Sequence, residues 1–182
     1  VAVINAPQGE MKLSQTNQWT QAGAYRQTQE LPFGKIVVFY DGKSNWVIGP
    51  QGAMELPAPM VRQMEGERMR SFFSLMLSDR NPEVTVTAVG ANEVEVASKG
   101  GETVRLEFDA SSGLPVRSTY NSVGPQGPTK VIATLSDWKE VGGIRLPHKL
   151  VIEQGGRKFA DATVTGWTLN GGLSAGELSK KP

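Results

Sequence analysis

The chain has 182 residues, of which 38% are hydrophobic and 20% are charged, and it contains one His and no Cys. This length suits one domain, predicted over residues 1–182, which can bury enough surface to fold without a metal or a disulfide. The net charge of +1 excludes a strong field that would attract nucleic acid or anionic membranes. The lack of Cys excludes thiolate chemistry, and His148 alone cannot form a two-histidine zinc site. We therefore predict no enzyme, no metal and no cofactor.

Short β segments dominate the chain from its first residues. Apolar and polar residues alternate within them, which is the pattern of a strand with one buried face. In chain order this pattern predicts strands over residues 1–5, 11–20, 24–31, 35–40, 45–48, 84–88, 94–96, 104–108, 116–120, 129–138, 146–152 and 159–169. Gly pairs at 142–143 and 155–156 predict hairpin turns. Pro-Gln-Gly at 7–9, 50–52 and 125–127 predicts three tight turns.

Residues 59–80 depart from this β pattern. Their apolar residues recur in steps of three, four and seven, which predicts one helix that begins near Pro59 and ends before Asn81-Pro82. Its charged residues alternate in sign and predict a solvated, self-paired face: Arg62, Glu65, Glu67, Arg68 and Arg70. Residues 173–178 predict a short closing helical turn. The order of elements predicts a mainly β, α+β fold in which an antiparallel sheet wraps on one main helix, at about 59–80.

Two segments invite a catalytic or phosphate-binding interpretation, and both have a simpler one. Gly42-Lys43-Ser44 follows an apolar strand, but a phosphate loop needs a glycine five positions before Gly42, where this chain has Val37. A hairpin turn is therefore favoured. His148 shares its strand parity with Leu146 and Leu150, which favours a structural histidine at a buried or rim position.

The methionines are the most informative feature of the composition. Of the six Met residues, Met60, Met64, Met69 and Met76 lie on the predicted helix. A flexible, polarizable Met face can adapt to apolar ligands such as acyl chains, or it can fill the concave side of a sheet. Both interpretations remain open. The strand around Phe39 is apolar on both faces, so it is either covered twice or lines a cavity.

Three motifs resemble those of the LolA-like outer-membrane lipoprotein-sorting superfamily. Residues 108–115 read FDASSGLP and resemble its F-D-x-x-T-G-L-P hairpin, with Ser112 in place of the Thr. Residues 137–148 read DWKEVGGIRLPH and resemble its D-W/Y-x-x-V-x-G-I-x-L-P strand pair. Residues 39–43 read FYDGK and, with Trp46, resemble its Y-D-G-x-x-x-W hairpin. The similarity extends over most of the chain.

This resemblance implies an unclosed, antiparallel half-barrel of about eleven strands, covered by helices and holding a hydrophobic cavity for lipid. It implies export to the periplasm, with a signal peptide and a first helix that precede Val1. It brings no catalytic residues. In a bacterial subgroup such a domain is fused to insulinase-like zinc peptidases, although their H-x-x-E-H signature is not in this sequence.

The leading hypothesis is therefore non-enzymatic binding of a lipid or lipoprotein acyl chain in an apolar cavity between sheet and helix. The alternative is a ligandless accessory domain of an exported zinc peptidase. A small enzyme that uses His148 with a neighbouring acid is the third interpretation. The predicted ligand-binding residues are Val37, Phe39, Trp46, Met60, Met64, Met69, Phe72 and Met76.

Overall fold

Thirteen strands and three short α-helices form the part of the chain that the computed structural model describes, residues 2–6, 9–124 and 127–182. The strands are β1 (Ala2–Ala6), β2 (Gly9–Trp19), β3 (Tyr25–Leu31), β4 (Gly34–Tyr40), β5 (Trp46–Gly49), β6 (Gly52–Glu55), β7 (Val84–Gly90), β8 (Glu93–Ser98), β9 (Thr103–Phe108), β10 (Pro115–Gly124), β11 (Gly127–Val141), β12 (Ile144–Gln154) and β13 (Arg157–Thr163). The helices are α1 (Ala58–Met69), α2 (Phe72–Met76) and α3 (Ala175–Leu178), and Ser78–Arg80 forms one 3-10 turn.

The strands form one continuous antiparallel ribbon in the order β6-β5-β4-β3-β2-β1-β13-β12-β11-β10-β9-β8-β7. Strand β2 joins its two halves, because residues 9–13 pair with β1 and residues 14–19 pair with β3. Strands β6 and β7 are the two ends of this order, and within the described residues they do not pair with each other. The sheet is therefore an unclosed half-barrel, which confirms the predicted fold class.

The helical segment formed by α1, α2 and the 3-10 turn connects the two edges of the sheet. It therefore crosses one face of the sheet, which we call the inner face. Its first half packs on β4, where Met64 lies in one cluster with Val38 and Tyr40. Its second half packs at the other end of the ribbon, where Leu75 lies in one cluster with Val96 and Leu106. The helical segment thus packs against strands near both edges of the half-barrel.

The helical segment is broken, which corrects the prediction of one continuous helix over residues 59–80. Helix α1 ends at Met69, and Ser71 then takes an extended conformation with ψ of 147°. The Oγ of Ser71 accepts a hydrogen bond from the backbone N–H of Ser74 and caps the start of α2. Serine is favoured at this position because its hydroxyl oxygen accepts a hydrogen bond from a backbone N–H that has no carbonyl partner in the first helical turn. No helix among the described residues is long and apolar enough to span a membrane.

Glycine pairs form the last two hairpin turns of the sheet, as predicted. Gly142 and Gly143 have φ of 57° and 83°, and Gly155 and Gly156 have φ of 55° and 78°. Two successive positive φ angles match the right-handed twist of a two-residue hairpin, and glycine adopts them without strain. These turns fix the register of β11, β12 and β13, where Leu135 pairs with Leu150.

The Pro-Gln-Gly motif at 50–52 also forms its predicted turn, since Gly49 pairs with Gly52 across it. The other two copies include residues 7–8 and 125–126, which lie outside the described residues. The pattern analysis did not predict β6, and it extended β13 to residue 169, whereas β13 ends at Thr163.

The turn in the FDASSGLP motif is held by the carboxylate of Asp109. Its Oδ1 accepts hydrogen bonds from the Ser111 hydroxyl (2.6 Å), the Ser112 backbone N–H (2.8 Å) and the Ser112 hydroxyl (2.8 Å). These bonds favour the ionised form and lower the pKa of Asp109 to about 2. Gly113 follows with a positive φ of 67°. The motif is thus a self-contained turn between β9 and β10.

Candidate functional site

Five aromatic rings meet where α2 lies against the inner face. Phe73 is 5.6 Å from Trp19 and 5.9 Å from Trp167, measured between ring centroids. Phe72 is 5.5 Å from Phe73 and 5.9 Å from Trp138. All five side chains are half-buried. We call Trp19, Phe72, Phe73, Trp138 and Trp167 the aromatic cluster; it links α2 to β2, to β11 and to the chain that follows β13.

Small side chains occupy much of the inner face on the central strands. One row of cross-strand pairs runs from Leu106 to Ser118, Ala133, Ile152 and Ala160. Leu106 contacts the helical segment, and directly paired residues share a face of the sheet, so the whole row faces inward. Ser118, Ala133 and Ala160 are only 8%, 9% and 6% exposed. We call these three residues the small-residue floor.

A polar group lies beside the same interior, at the end of α1. The Arg70 side chain is 10% exposed, and its Nη1 is 2.8 Å from Oε2 of Glu102. Its guanidinium carbon lies 4.6 Å from the centroid of the Tyr120 ring, within the range of a cation–π contact. Gly66 makes room for this arrangement, because a Cβ built there would lie 2.6 Å from Nη1 of Arg70.

Glu67 is the second charged residue of this polar group. Burial raises the pKa of its carboxyl group, and a hydrogen bond from Gln63 at 3.1 Å opposes the shift. Burial and the Glu67 carboxylate together raise the pKa of Tyr25 above its usual range. Burial also raises the pKa of Tyr120, with a further contribution from Glu67. The predicted solvated face of the helix is thus wrong for Glu67 and Arg70, because both are half-buried and Arg70 contacts Glu102 and Tyr120.

The structure does not bring the eight predicted ligand-binding residues together. Val37, Phe39 and Trp46 are buried in a cluster with Ala24 and Leu178. This cluster lies on the outer face, because Val38 and Tyr40, which alternate with Val37 and Phe39, contact α1 on the inner face. Helix α3 covers it.

The other five predicted residues lie on the helical segment. Met64 is buried against β4, and Met69 and Met76 are half-buried in the cluster around Leu75. Phe72 belongs to the aromatic cluster, whereas Met60 is exposed at the start of α1. The binding role of all eight residues stays a prediction.

The convergence of three tryptophans was missed by the sequence analysis. Trp19, Trp138 and Trp167 come from distant parts of the chain, and no spacing rule relates them. A tryptophan at the rim of a core needs a polar partner for its N–H. Trp167 satisfies it, since its Nε1 donates to the backbone carbonyl of Pro147 at 3.1 Å.

The alternative catalytic segments have structural roles. The imidazole of His148 is buried, and its Nδ1 lies 3.1 Å from the carbonyl oxygen of Leu146. In the Gly42-Lys43-Ser44 turn, Oδ1 of Asp41 accepts from the backbone N–H groups of Lys43 (2.8 Å) and Ser44 (2.7 Å). Backbone donors that a phosphate would need are therefore already bonded to a carboxylate.

Two surface concavities lie away from the eight predicted ligand-binding residues. One of about 500 Å³ runs between the 3-10 turn and the start of β7, and is lined by residues that include Arg80 and Val86. The other, of about 530 Å³, lies on the outer face of β8 to β12 among charged residues such as Glu95, Arg105 and Arg117. Neither is lined by any of the eight predicted residues.

Comparison with known proteins bears on the fold of the chain. No protein-family model matches it, and no curated protein matches it. Nothing in these comparisons connects it to a peptidase, so the accessory role stays a prediction. A similar solved structure is that of a "putative outer membrane lipoprotein-sorting protein domain" from Vibrio parahaemolyticus, with a TM-score of 0.57 over 98% of this chain and 86% of that chain, at 7% identity. The two chains therefore share a fold, in agreement with the half-barrel that the motif resemblance implied.

Proposed function

We propose that the protein binds an apolar ligand, a lipid or the acyl chain of a lipoprotein, between the helical segment and the inner face. The observation that carries this proposal is the small-residue floor. Large side chains anchor the helical segment at both ends of the half-barrel, while Ser118, Ala133 and Ala160 supply little volume on the central strands between them. We expect a chain of methylene groups to lie over this floor, between the two anchored ends.

The stabilisation of such a complex comes from removing the ligand from water. Each methylene group that becomes buried contributes about 0.8 kcal/mol. Met69 and Met76 have flexible side chains that can fit a linear chain, and the half-buried rings of Phe72 and Phe73 lie next to each other on α2. The ligand would thus lie across the sheet from Val37, Phe39 and Trp46.

A carrier role in the periplasm, rather than catalysis, completes the proposal. The similar structure from Vibrio parahaemolyticus is described as a lipoprotein-sorting domain, and that description supports both the ligand class and the location. The ligand is expected to be bound reversibly, because apolar contacts and aromatic edges are the groups that the interior offers it.

The substitution Ala133→Phe tests this proposal. If the floor borders free space, a phenyl ring at position 133 fills it, so the variant keeps its stability and loses uptake of a fluorescent fatty acid. Thr134→Phe is the matched control, because Thr134 pairs with Arg117 and Val151 on the outer face of the same strand. It should bind the fatty acid as the wild type does.

Two results would contradict the proposal. Uptake by Ala133→Phe equal to that of the wild type would place the ligand elsewhere. A loss of about 1–3 kcal/mol of unfolding free energy in Ala133→Phe, the usual cost of overpacking, would show that the floor is already filled.

A further inference from the structure

Strand β7 is an edge with little of the protection that edge strands normally have. Its seven residues, Val84–Gly90, carry no charge and no proline, and Val86 and Val89 are 44% and 41% exposed. The opposite edge, β6, has four residues, ends in Glu55 and lies between Pro50 and Pro57. Short length, charge and proline are features that prevent edge-to-edge pairing, and here a proline and a charge occur only in the two residues before β7, Pro82 and Glu83. The register of β7 with β8 shifts between Ala88 and Gly90, so the regular part of this edge is Val84 to Ala88.

The hydrogen-bonding groups that β7 presents outward follow from its pairing with β8. The backbone N–H of Lys99 donates to the carbonyl of Glu83 at 3.0 Å, so Glu83 faces β8. Alternation then turns the backbone groups of Val84, Val86 and Ala88 away from β8, toward the free edge. The N–H of Val84 is already bonded to the carbonyl of Asn81 at 3.2 Å. The carbonyls of Val84 and Ala88, both groups of Val86 and the N–H of Ala88 remain.

We propose that β7 pairs with β7 of a second copy of this chain, antiparallel and centred on Val86. In this register the two Val86 residues exchange their N–H and carbonyl groups, and each Ala88 N–H donates to Val84 of the other copy. About four main-chain hydrogen bonds form, and the one bonded donor, Val84 N–H, is not required. Four of the five free groups of each strand are thus paired in this register, and the carbonyl of Ala88 is left at its end.

The side chains agree with this register. Thr85 of one copy lies opposite Thr87 of the other on the outer face, and cross-strand threonine pairs are favourable. Arg80 precedes β7 and Glu93 follows it, and neither has an ion-pair partner among the described residues. The antiparallel arrangement brings Arg80 of each copy toward Glu93 of the other. The concavity of about 500 Å³ beside Arg80 and Val86 adjoins this edge.

Charged substitutions on the outer face test both the interface and its register. T85K/T87K places Lys opposite Lys at two points, and the dimer measured by sedimentation equilibrium should weaken by about tenfold or more. T85E/T87K places Glu opposite Lys instead and should restore it. T103K is the matched control, because Thr103 is in register with Thr85 through Ala97 but lies two strands from the edge. It should dimerise as the wild type does.

A wild-type protein that stays monomeric at the highest soluble concentration would overturn this inference. So would a dimer that T85K/T87K leaves intact, since it would use another surface. Failure of T85E/T87K to restore association would overturn the register. Far-UV circular dichroism of every variant confirms that the half-barrel itself is folded.

Discussion

Glu67 is a carboxyl group in a position that disfavours its charge. Burial raises its pKa above the ordinary value of 4.5, and the hydrogen bond from Gln63 and the charge of Arg70 oppose this only in part. The folded state therefore holds the Glu67 proton more tightly than the unfolded state does. This contribution to stability is fully present below the ordinary pKa of glutamate, and is lost as the pH rises through the raised pKa.

Glu67→Gln should consequently stabilise the protein at neutral pH. Its unfolding free energy, measured by urea denaturation, should exceed that of the wild type at pH 7, and the difference should shrink as the pH falls below 4.5. Glu140→Gln is the control, since Glu140 is exposed. A Glu67→Gln variant that is less stable than the wild type at pH 7 would mean that the carboxylate makes a favourable contact.

Charge alternation alone could not predict these roles of Glu67 and Arg70. The pattern is the same as that of a solvated helix face, and it is the distant Tyr25, Glu102 and Tyr120 that surround the two residues. Gly66 is the one local signal. A glycine inside a helix costs stability, and here it leaves space for the Arg70 side chain.

At the scale of elements, the break between α1 and α2 depends on Ser71. Its hydroxyl caps α2, which at five residues is too short to be stable without a cap and tertiary contacts. Ser71→Ala should lower the unfolding free energy by about 1 kcal/mol, measured by chemical denaturation.

Ser44→Ala serves as the comparison for this substitution. Ser44 is exposed in a turn, and its backbone N–H rather than its side chain bonds to Asp41, so the change should cost less than about 0.5 kcal/mol. Equal effects of the two substitutions would show that the Ser71 cap adds nothing to α2.

The elements that local rules predict well are those whose signals are local. Glycine pairs at 142–143 and 155–156 fixed the last hairpins, and alternation located β8, β9, β11 and β12. Strand β6 was not predicted because its four residues, Gly-Ala-Met-Glu, show no alternation of apolar and polar side chains. The break in the helix at Ser71 was not predicted because the helical spacing of apolar residues continues across it into Phe72 and Phe73.

At the scale of the whole molecule, the antiparallel character of the sheet was predictable, but the face that each residue occupies was not. Val37 and Phe39 are as apolar as Val38 and Tyr40, so the sequence cannot say which pair the helical segment covers. Leu178 of α3 packs in one cluster with Val37 and Phe39, and this contact is distant in sequence. The aromatic cluster and the small-residue floor likewise exist only in the folded chain.

Photolabelling with a fatty acid that carries a diazirine in its alkyl chain tests the central claim most directly, because it reports where the ligand lies. We expect the label on Met69, Phe72, Met76 or Ala133, identified by peptide mass spectrometry, with competition by unlabelled fatty acid. Labelling of Val37, Phe39 or Trp46 would instead place the ligand beneath α3. That result, or labelling no stronger than in the denatured chain, would contradict the proposed site.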